Sequence, residues 1–199
     1  MKILFATKNE AKIKRYAEKL IKKGIEVITI KDLEKEIEVQ ENGKTALENA
    51  YIKAKSYYDA TGIVTIGIDD NLFFENVPEE KQPGTHVRRV NGKILDDEEM
   101  IEYYTSIAKE YGGKIKARWV YGLVLYDGKD KKEYTWSKGN MYLVSKPCEK
   151  RNPGYPLNSV MVIPEYNKYT AELTEEEKKE KSSYSSDDDV IEFIVKNVL

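Results

Sequence analysis

The sequence predicts an α/β fold in which helices flank a mixed, twisted β-sheet. Two observations carry this prediction. Apolar runs and amphipathic segments alternate through residues 1–72, which is typical of strands followed by helices. Long alternating segments on either side of Asp127-Gly128 then indicate a hairpin-rich part at about residues 114–165. A chain of 199 residues, 40% of them hydrophobic, suits one domain or two small lobes.

The first half of the N-terminal part is predicted to run strand, helix, strand. Residues 2–6 form a buried strand and residues 10–23 an amphipathic helix that ends at Gly24. A second strand covers Ile25–Ile30, and Glu41-Asn42-Gly43 indicates a turn. The inner face of the helix is predicted at Ile13, Ala17, Leu20 and Ile21.

The second half of this part adds a helix and a strand. Thr45 and Glu48 have the spacing of a capping box, which opens a helix to about residue 60. Gly62 follows this helix, and Ile63–Ile68 is a strand that ends in Asp69-Asp70. The buried stripe of the helix is predicted at Leu47, Ala50, Ala54 and Tyr57 or Tyr58.

The rest of the chain begins with weakly periodic residues, which predict a loop at 73–95. The predicted elements that follow are a helix at Asp97–Tyr111 with Met100, Ile101, Tyr104, Ile107 and Ala108 inward, a strand at Lys114–Tyr126, its hairpin partner at Lys132–Lys138, strands at Met141–Val144 and Val160–Ile163, and a helix near 188–198 with Val190, Ile191, Ile194 and Val195 inward. Three prolines make Lys146–Asn158 a loop, and residues 174–189 are either a solvated helix or a mobile segment.

Composition excludes several classes of function. The 33 basic and 35 acidic residues give a net charge of −2, so the chain lacks the basic surface of a nonspecific nucleic-acid binder. Cys148 is the only cysteine, which rules out an intrachain disulfide and favours a reducing cytoplasm. The N-terminal residues contain no long apolar stretch, so no signal peptide and no membrane partner are expected.

The opening residues predict an anion site. A strand ending at Ala6 delivers Thr7-Lys8-Asn9 to the start of a helix, and Lys12 lies one turn into that helix. Unpaired backbone N–H groups and the helix dipole at such a terminus favour a phosphate group. The alternative is ordinary N-capping by Thr7 or Asn9 with a solvated lysine.

Acidic residues are predicted close to that anion site. Asp69-Asp70 follows an apolar strand, and ligands of open α/β sheets bind beyond the carboxyl ends of strands. With Glu41 and Glu48, these carboxylates suggest Mg²⁺ bridged to phosphate oxygens. The alternatives are that Glu48 only completes the capping box, that an aspartate caps a turn, and that Lys53 lies on a solvated helix face.

Taken together, the motifs resemble those of the inosine triphosphate pyrophosphatase family. Its A-T-x-N-x-x-K opening matches residues 6–12, and its E-x-G-x-T-F-x-E-N-A-x-x-K-A motif matches residues 41–54 with one departure, Ala46. D-D-S-G-L corresponds to the shorter Asp69-Asp70-Asn71-Leu72, P-G-x-x-S-A-R matches Pro83–Arg89 at its ends, and A-E-L-x-x-x-E-K is found at residues 171–178. The resemblance implies two lobes with an active-site cleft between them, and a homodimer.

The resemblance also implies roles for individual residues. Hydrolysis of triphosphates such as ITP, XTP and dITP would release pyrophosphate and a monophosphate, with Mg²⁺ as cofactor. The implied assignments are Thr7, Asn9 and Lys12 for the triphosphate, Glu41 and Asp70 for the metal, Asp70 also for the attacking water, Lys53 for neutralising phosphate charge, and Asn71, Arg89, Lys178 and Ser182 for other substrate contacts.

The departures from the family concern base recognition. Gly154–Met161 lacks the aspartate of the family's G-F-G-Y-D-P-x-F loop, and Ser183 and Tyr184 replace the histidine and arginine of its S-H-R triplet. The missing glycine after Asp70 is partly compensated if Asn71 adopts a positive φ. His86 is a candidate base contact, although a surface-loop histidine is the simpler interpretation. A nucleotide-binding or sensing protein without turnover remains the alternative function.

Overall fold

The computed structural model describes residues 1–183 and 187–199, without the side chains of Ala11, Lys179 and residues 181–183. Five α-helices are found in this part of the chain: α1 at Glu10–Lys22, α2 at Ala46–Thr61, α3 at Asp97–Glu110, α4 at Glu175–Ser183 and α5 at Asp187–Val198. Its strands are β1 at Lys2–Ala6, β2 at Glu26–Thr29, β3 at Thr65–Phe74, β4 at Arg89–Val90, β5 at Lys93–Ile94, β6 at Lys114–Tyr126, β7 at Lys131–Val144, β8 at Met161–Ile163 and β9 at Lys168–Tyr169.

The main sheet is mixed, as the sequence predicts. Its seven strands follow the order β2-β1-β3-β6-β7-β8-β9. Strand β1 is parallel to both β2 and β3, whereas β8 is antiparallel to β7 and to β9. The α/β class with helices around a mixed sheet is therefore confirmed.

The chain divides into two compact units. The first consists of Met1–Asp70, Val120–Trp136 and helix α5, and the second of Asn71–Trp119 and the stretch from Ser137 through α4. In the second unit α3 presents all five predicted inward residues to a core that also contains Leu143, Val160 and Met161. An acidic N-cap, Asp96, accepts a hydrogen bond from the Glu99 N–H at 2.9 Å and fixes where this helix begins.

The first unit packs helices on both faces of its strands. Ile3 and Phe5 of β1 contact the α1 side, where the apolar residues of α1 and α5 share one core. Leu4 and Ala6 point the other way, toward Tyr57 of α2. This arrangement follows from right-handed crossovers, because β2 and β3 flank β1 and the two connecting helices then cover opposite faces.

Helix α2 approaches the sheet unusually closely. A Cβ atom at Gly67 would lie 1.9 Å from the carbonyl oxygen of Ala50, so only glycine fits at this point of β3. Gly62 ends the helix in the left-handed conformation, with φ of 69°. The predicted helix and its glycine cap are confirmed, although Leu47 and Tyr58 are half-buried and Asn49 and Lys53 lie in the buried stripe.

Several predicted details are wrong. Ile21 is 56% exposed, because the buried face of α1 is centred on Tyr16 and Leu20, which lie one turn apart, and Ile21 falls outside it. Met141–Val144 is not a separate strand but the end of β7, which passes through Gly139 and Asn140. The loop predicted at 73–95 contains the end of β3 and the small β4–β5 sheet. Val195 is only half-buried.

Candidate active site

A cavity of about 770 Å³ opens in the first unit, past the carboxyl end of β1. Its wall contains residues from β1, α1, α2 and β3, together with the acidic segment that precedes α2. The lining residues with charged or polar side chains are Thr7, Lys8, Asn9, Lys12, Glu36, Glu38, Glu41, Lys53, Tyr57 and Asp69. Most of the side chains that the sequence assigns to phosphate and metal therefore share one cavity.

The start of α1 has the geometry of a capped helix N-terminus. The Asn9 side-chain oxygen accepts a hydrogen bond from the Lys12 N–H at 3.3 Å, and Thr7 Oγ1 accepts one from the Asn9 N–H at 3.1 Å. The capping part of the alternative is thus realised, but Lys12 pairs with Asp70 and is not a solvated lysine. Both capping residues line the cavity as well. Capping and anion binding are compatible, because the dipole of the thirteen-residue helix α1 still favours negative charge at this end.

Asp69 and Asp70 lie within β3 rather than at its end. The strand continues to Phe74, but its parallel pairing with β1 stops at Gly67, opposite Ala6. Both carboxylates therefore stand just beyond the end of β1, where the sheet leaves room for a ligand. Asn71 also belongs to β3 and is not among the residues with positive φ, so it does not compensate for the missing glycine in that way.

The two aspartates serve opposite faces of the strand. Successive strand side chains alternate in direction. Asp69 shares the α2 face with Gly67, and its Oδ1 lies 3.1 Å from Lys53 Nζ. Asp70 points to the α1 face and forms an ion pair with Lys12. Adjacent residues in sequence thus hold two different lysines from two different helices.

Lys53 joins the carboxylates of two elements. Its ammonium group lies 2.9 Å from Glu41 Oε2 and 3.1 Å from Asp69 Oδ1, and its side chain is only 11% exposed. A buried lysine is favourable only when such partners compensate for its lost hydration. The alternative that Lys53 lies on a solvated helix face is therefore wrong.

The residues before α2 are held by hydrogen bonds to that helix. Thr45 Oγ1 accepts a hydrogen bond from the Glu48 N–H at 3.1 Å, and Glu48 Oε2 accepts one from the Lys44 N–H at 2.7 Å. The buried Asn49 side chain accepts the Gly43 N–H at 2.8 Å. Glu48 therefore has a capping role, and these bonds fix the segment that carries Glu41 toward Lys53.

The donor set fits a hard divalent cation. Glu41 and Asp69 direct carboxylate oxygens at one ammonium group, so two hard donors converge on a single cationic position. No group of three or more histidine, cysteine, aspartate or glutamate side chains is poised to hold a metal within the described residues. Mg²⁺ commonly uses only one or two protein carboxylates, and substrate phosphates complete its shell.

The cavity has a negative character around Tyr57. Burial, followed by the charges of Glu41 and Glu36, raises the pKa of the Tyr57 hydroxyl. The tyrosine is therefore neutral at physiological pH and contributes an apolar ring with a polar edge to the wall. This aromatic surface stands beside the lysines and carboxylates of the same cavity.

The other predicted substrate contacts belong to the second unit. Asn71 is 2% exposed, and its side-chain oxygen has no hydrogen-bond partner within the described part of the chain. Arg89 and His86 are exposed, and Lys178 pairs with Glu175 on the surface of α4 at 2.7 Å. The side chain of Ser182, like Ser183 and the whole of Tyr184, lies outside the described residues. Among the described side chains, Asn71, His86, Arg89 and Lys178 are not lining residues of the cavity in the first unit.

Asp69 is the site residue that sequence reasoning underestimates. The Asp69-Asp70 pair signals a functional position, but the family assignment singles out Asp70 alone. Side chains alternate between the two faces of a strand, so one of the two aspartates must face α2. Gly67 contacts α2, and Asp69, two residues later, therefore lies on the same face. The acidic residues Glu36 and Glu38 of the cavity wall carry no motif that would have revealed them.

Comparison with known proteins finds a matching family and several sequence relatives. The model of the Ham1 family matches residues 3–185. The dITP/XTP pyrophosphatase of Aquifex aeolicus (strain VF5) is 32% identical over 192 residues, which cover 89% of this chain and 88% of that protein. The dITP/XTP pyrophosphatase of Dictyoglomus thermophilum is 30% identical, with coverages of 92% and 87%.

Solved structures share the fold. A HAM1 protein from Coxiella burnetii aligns with a TM-score of 0.78 at 20% identity, covering 100% of this chain and 98% of its own. The Staphylococcus aureus Ham1 protein aligns with a TM-score of 0.75 at 22% identity and the same coverages. Within the described residues, no helix is long and apolar enough to cross a membrane.

Proposed function

The chain belongs to the Ham1 family, which is the family its motifs resemble, and we propose that it hydrolyses nucleoside triphosphates to a monophosphate and pyrophosphate. One observation carries the proposal. Lys12 and Lys53, each paired with an aspartate of β3, stand on the wall of one cavity beside the N-terminus of α1. Two ammonium groups and a helix terminus suit a polyphosphate, and the carboxylates suit its cation.

The lysines are held ready by their carboxylate partners. Each ammonium group already has a counter-charge, which keeps it oriented and charged in a partly buried position. A triphosphate that enters the cavity offers several anionic oxygens, which can replace the carboxylates as partners of the two lysines. Glu41, Asp69 and Asp70 are then left with their charge uncompensated, close to the phosphate oxygens.

Mg²⁺, when bound, supplies positive charge to those carboxylates and to the phosphate oxygens. Glu41 and Asp69 are the residues that would hold it, while Asp70 lies on the opposite face of β3 and pairs with Lys12. Lys53 stabilises negative charge that builds on the phosphate oxygens during displacement, while Lys12 holds the triphosphate. Asp70 orients the attacking water and accepts its proton, so that pyrophosphate leaves and the monophosphate remains.

The substrates expected from the curated relatives are dITP and XTP, and we propose non-canonical purine triphosphates as the first class to test. The experiment is product analysis across a panel of purine and pyrimidine triphosphates, each with Mg²⁺ and with a chelator. We expect a monophosphate and pyrophosphate in equal amounts, and only with the cation. Diphosphate and orthophosphate as products would contradict the proposal, and binding without turnover would favour a sensing protein.

A further inference from the structure

Three basic residues of α1 each pair with an acid from outside the helix. Lys12, Arg15 and Lys19 follow one another at spacings of three and four residues, so they lie along one side of α1. Lys12 pairs with Asp70 of β3, while Arg15 and Lys19 pair with Asp187 and Asp188 at the start of α5. Helix α5 thus contacts α1 through two ion pairs, and the N-terminus of α1 is part of the proposed phosphate site.

Asp187 is the most buried side chain among these three pairs. Arg15 Nε donates to Asp187 Oδ2 at 2.6 Å, and its Nη2 donates to the other carboxylate oxygen. The Asp187 side chain is 10% exposed, whereas that of Asp188 is 84% exposed. Burial is the largest single effect on the Arg15 guanidinium and lowers its pKa. The hydrogen bond to Asp187 and the charges of Tyr16, Asp187 and Tyr121 together outweigh burial, so the pKa is raised.

Apolar contacts alone do not fix how α1 is turned. Tyr16 and Leu20 of α1 share a core with Val190, Ile191 and Ile194 of α5. Hydrophobic burial is non-directional, so this core stabilises the contact without defining one rotation or register of α1. A planar guanidinium that meets both oxygens of a carboxylate does define one geometry.

The Arg15–Asp187 contact also fixes the position of Lys12, because Lys12 lies one turn before Arg15 on the same helix. Any rotation or sliding of α1 moves both side chains together, because they belong to the same rigid helix. We propose that Arg15 and Asp187 are positioning residues for the triphosphate: their pair sets the register of α1 so that Lys12 faces Asp70 and the cavity. This inference rests on the proposed function, since it assigns the affected step to polyphosphate binding.

The test separates binding from turnover. Arg15→Lys keeps the charge but loses the two-pronged contact, and Asp187→Asn keeps the shape but loses the charge. Misplacing Lys12 weakens the hold on phosphate, so we expect KM for the preferred triphosphate to rise about tenfold while kcat changes less than about threefold. Lys19→Met and Asp188→Asn remove the exposed pair next to it and serve as matched controls, with KM unchanged.

A purely structural role predicts a different result. Partial unfolding lowers the concentration of active enzyme, so kcat falls while KM stays constant. That outcome, or an unchanged KM in variants shown to be folded by circular dichroism, would overturn the inference. If Asp187→Asn does not fold, Arg15→Lys decides the question by the same criterion.

Binding of inorganic tripolyphosphate, measured by calorimetry, separates this inference from the proposed function. Weaker binding by Arg15→Lys than by the wild type supports the positioning role even if the wild type shows no turnover, in which case the proposed function alone fails. Normal turnover by the wild type, with tripolyphosphate affinity equal in the wild type and Arg15→Lys, would overturn the positioning role and leave the proposed function intact.

Discussion

Lys53 and Lys12 are positively charged residues that form ion pairs with carboxylates at the candidate site. Lys53 is 11% exposed and contacts Glu41 and Asp69, and Lys12 pairs with Asp70. The alternation of β3 distributes the two aspartates between the two lysines. Loss of one member of a pair leaves a charge that is partly buried and uncompensated, so single substitutions should act strongly.

The first prediction concerns the carboxylate that we assign to the attacking water. Asp70→Asn should lower the rate of pyrophosphate release at least about 100-fold, because the neutral amide can neither accept a proton nor balance a cation. The rate is measured under saturating substrate in protein that circular dichroism shows to be folded. Asp59→Asn, on the exposed face of α2, is the control. A near-normal rate in folded Asp70→Asn would remove this residue from the mechanism.

The second prediction concerns the lysines. Lys12→Ala and Lys53→Ala should lower kcat/KM for every triphosphate by a similar factor, because a phosphate contact does not distinguish bases. Lys19→Ala on α1 and Lys55→Ala on α2 are matched controls, since both side chains are more than 40% exposed and pair with surface acids. If either site variant changes the ranking of the bases, the assignment of these lysines to phosphate is wrong.

At the scale of elements, the site depends on how closely α2 lies against β3. Gly67 allows this approach, and α2 then presents Lys53 to Asp69 one turn further along the helix from Ala50. Gly122 of β6 is similar, because a Cβ there would lie 2.5 Å from the backbone nitrogen of Leu47. Two glycines on neighbouring strands therefore set the depth at which the helix packs.

The third prediction tests this close packing. Gly67→Ala should lower the free energy of unfolding by about 1–3 kcal/mol, because the added methyl group has to push the α2 backbone away. Urea unfolding measures the effect. Gly139→Ala in β7 is the control, since the nearest atom to its Cβ would be 3.9 Å away. Equal stability of the two variants would show that α2 adjusts without cost.

The elements also show which features of the fold can be read from sequence. The inner face of α3 was predictable residue by residue, because helical periodicity is a local property. The break predicted within β7 was wrong, because Gly139 and Asn140 are typical of turns, yet here Asn140 adopts a φ of 58° inside a continuous strand. Which aspartate meets Lys53 depends on the packing of α2, and that is a tertiary property.

At the scale of the whole molecule, the motifs assigned to the phosphates match the family, whereas the motifs assigned to the base do not. Residues of the motifs at 6–12 and 41–54 both line the cavity of the first unit. The motifs for the base depart from the family in sequence, with Ser183 and Tyr184 in place of histidine and arginine. Hydrolysis and discrimination between bases should therefore be separable properties of this chain.

The fourth prediction follows from that departure. Without the charged donors of the family triplet, the preference for ITP or XTP over ATP or GTP should be weak. One hydrogen bond to a charged donor contributes about 1.5–3 kcal/mol, or roughly one to two decades in kcat/KM. The kcat/KM ratio of ITP to ATP is compared between the wild type and Ser183→His/Tyr184→Arg, where it should rise. A wild-type ratio of several hundred would show that other residues recognise the base.

In the proposed reaction, water attacks the α-phosphorus of a triphosphate and pyrophosphate leaves. The most direct test is a turnover in water enriched in oxygen-18, followed by mass spectrometry of both products. Attack at the α-phosphorus places one labelled oxygen in the nucleoside monophosphate and leaves pyrophosphate unlabelled. Label in pyrophosphate, or in orthophosphate released beside a diphosphate, would contradict the account.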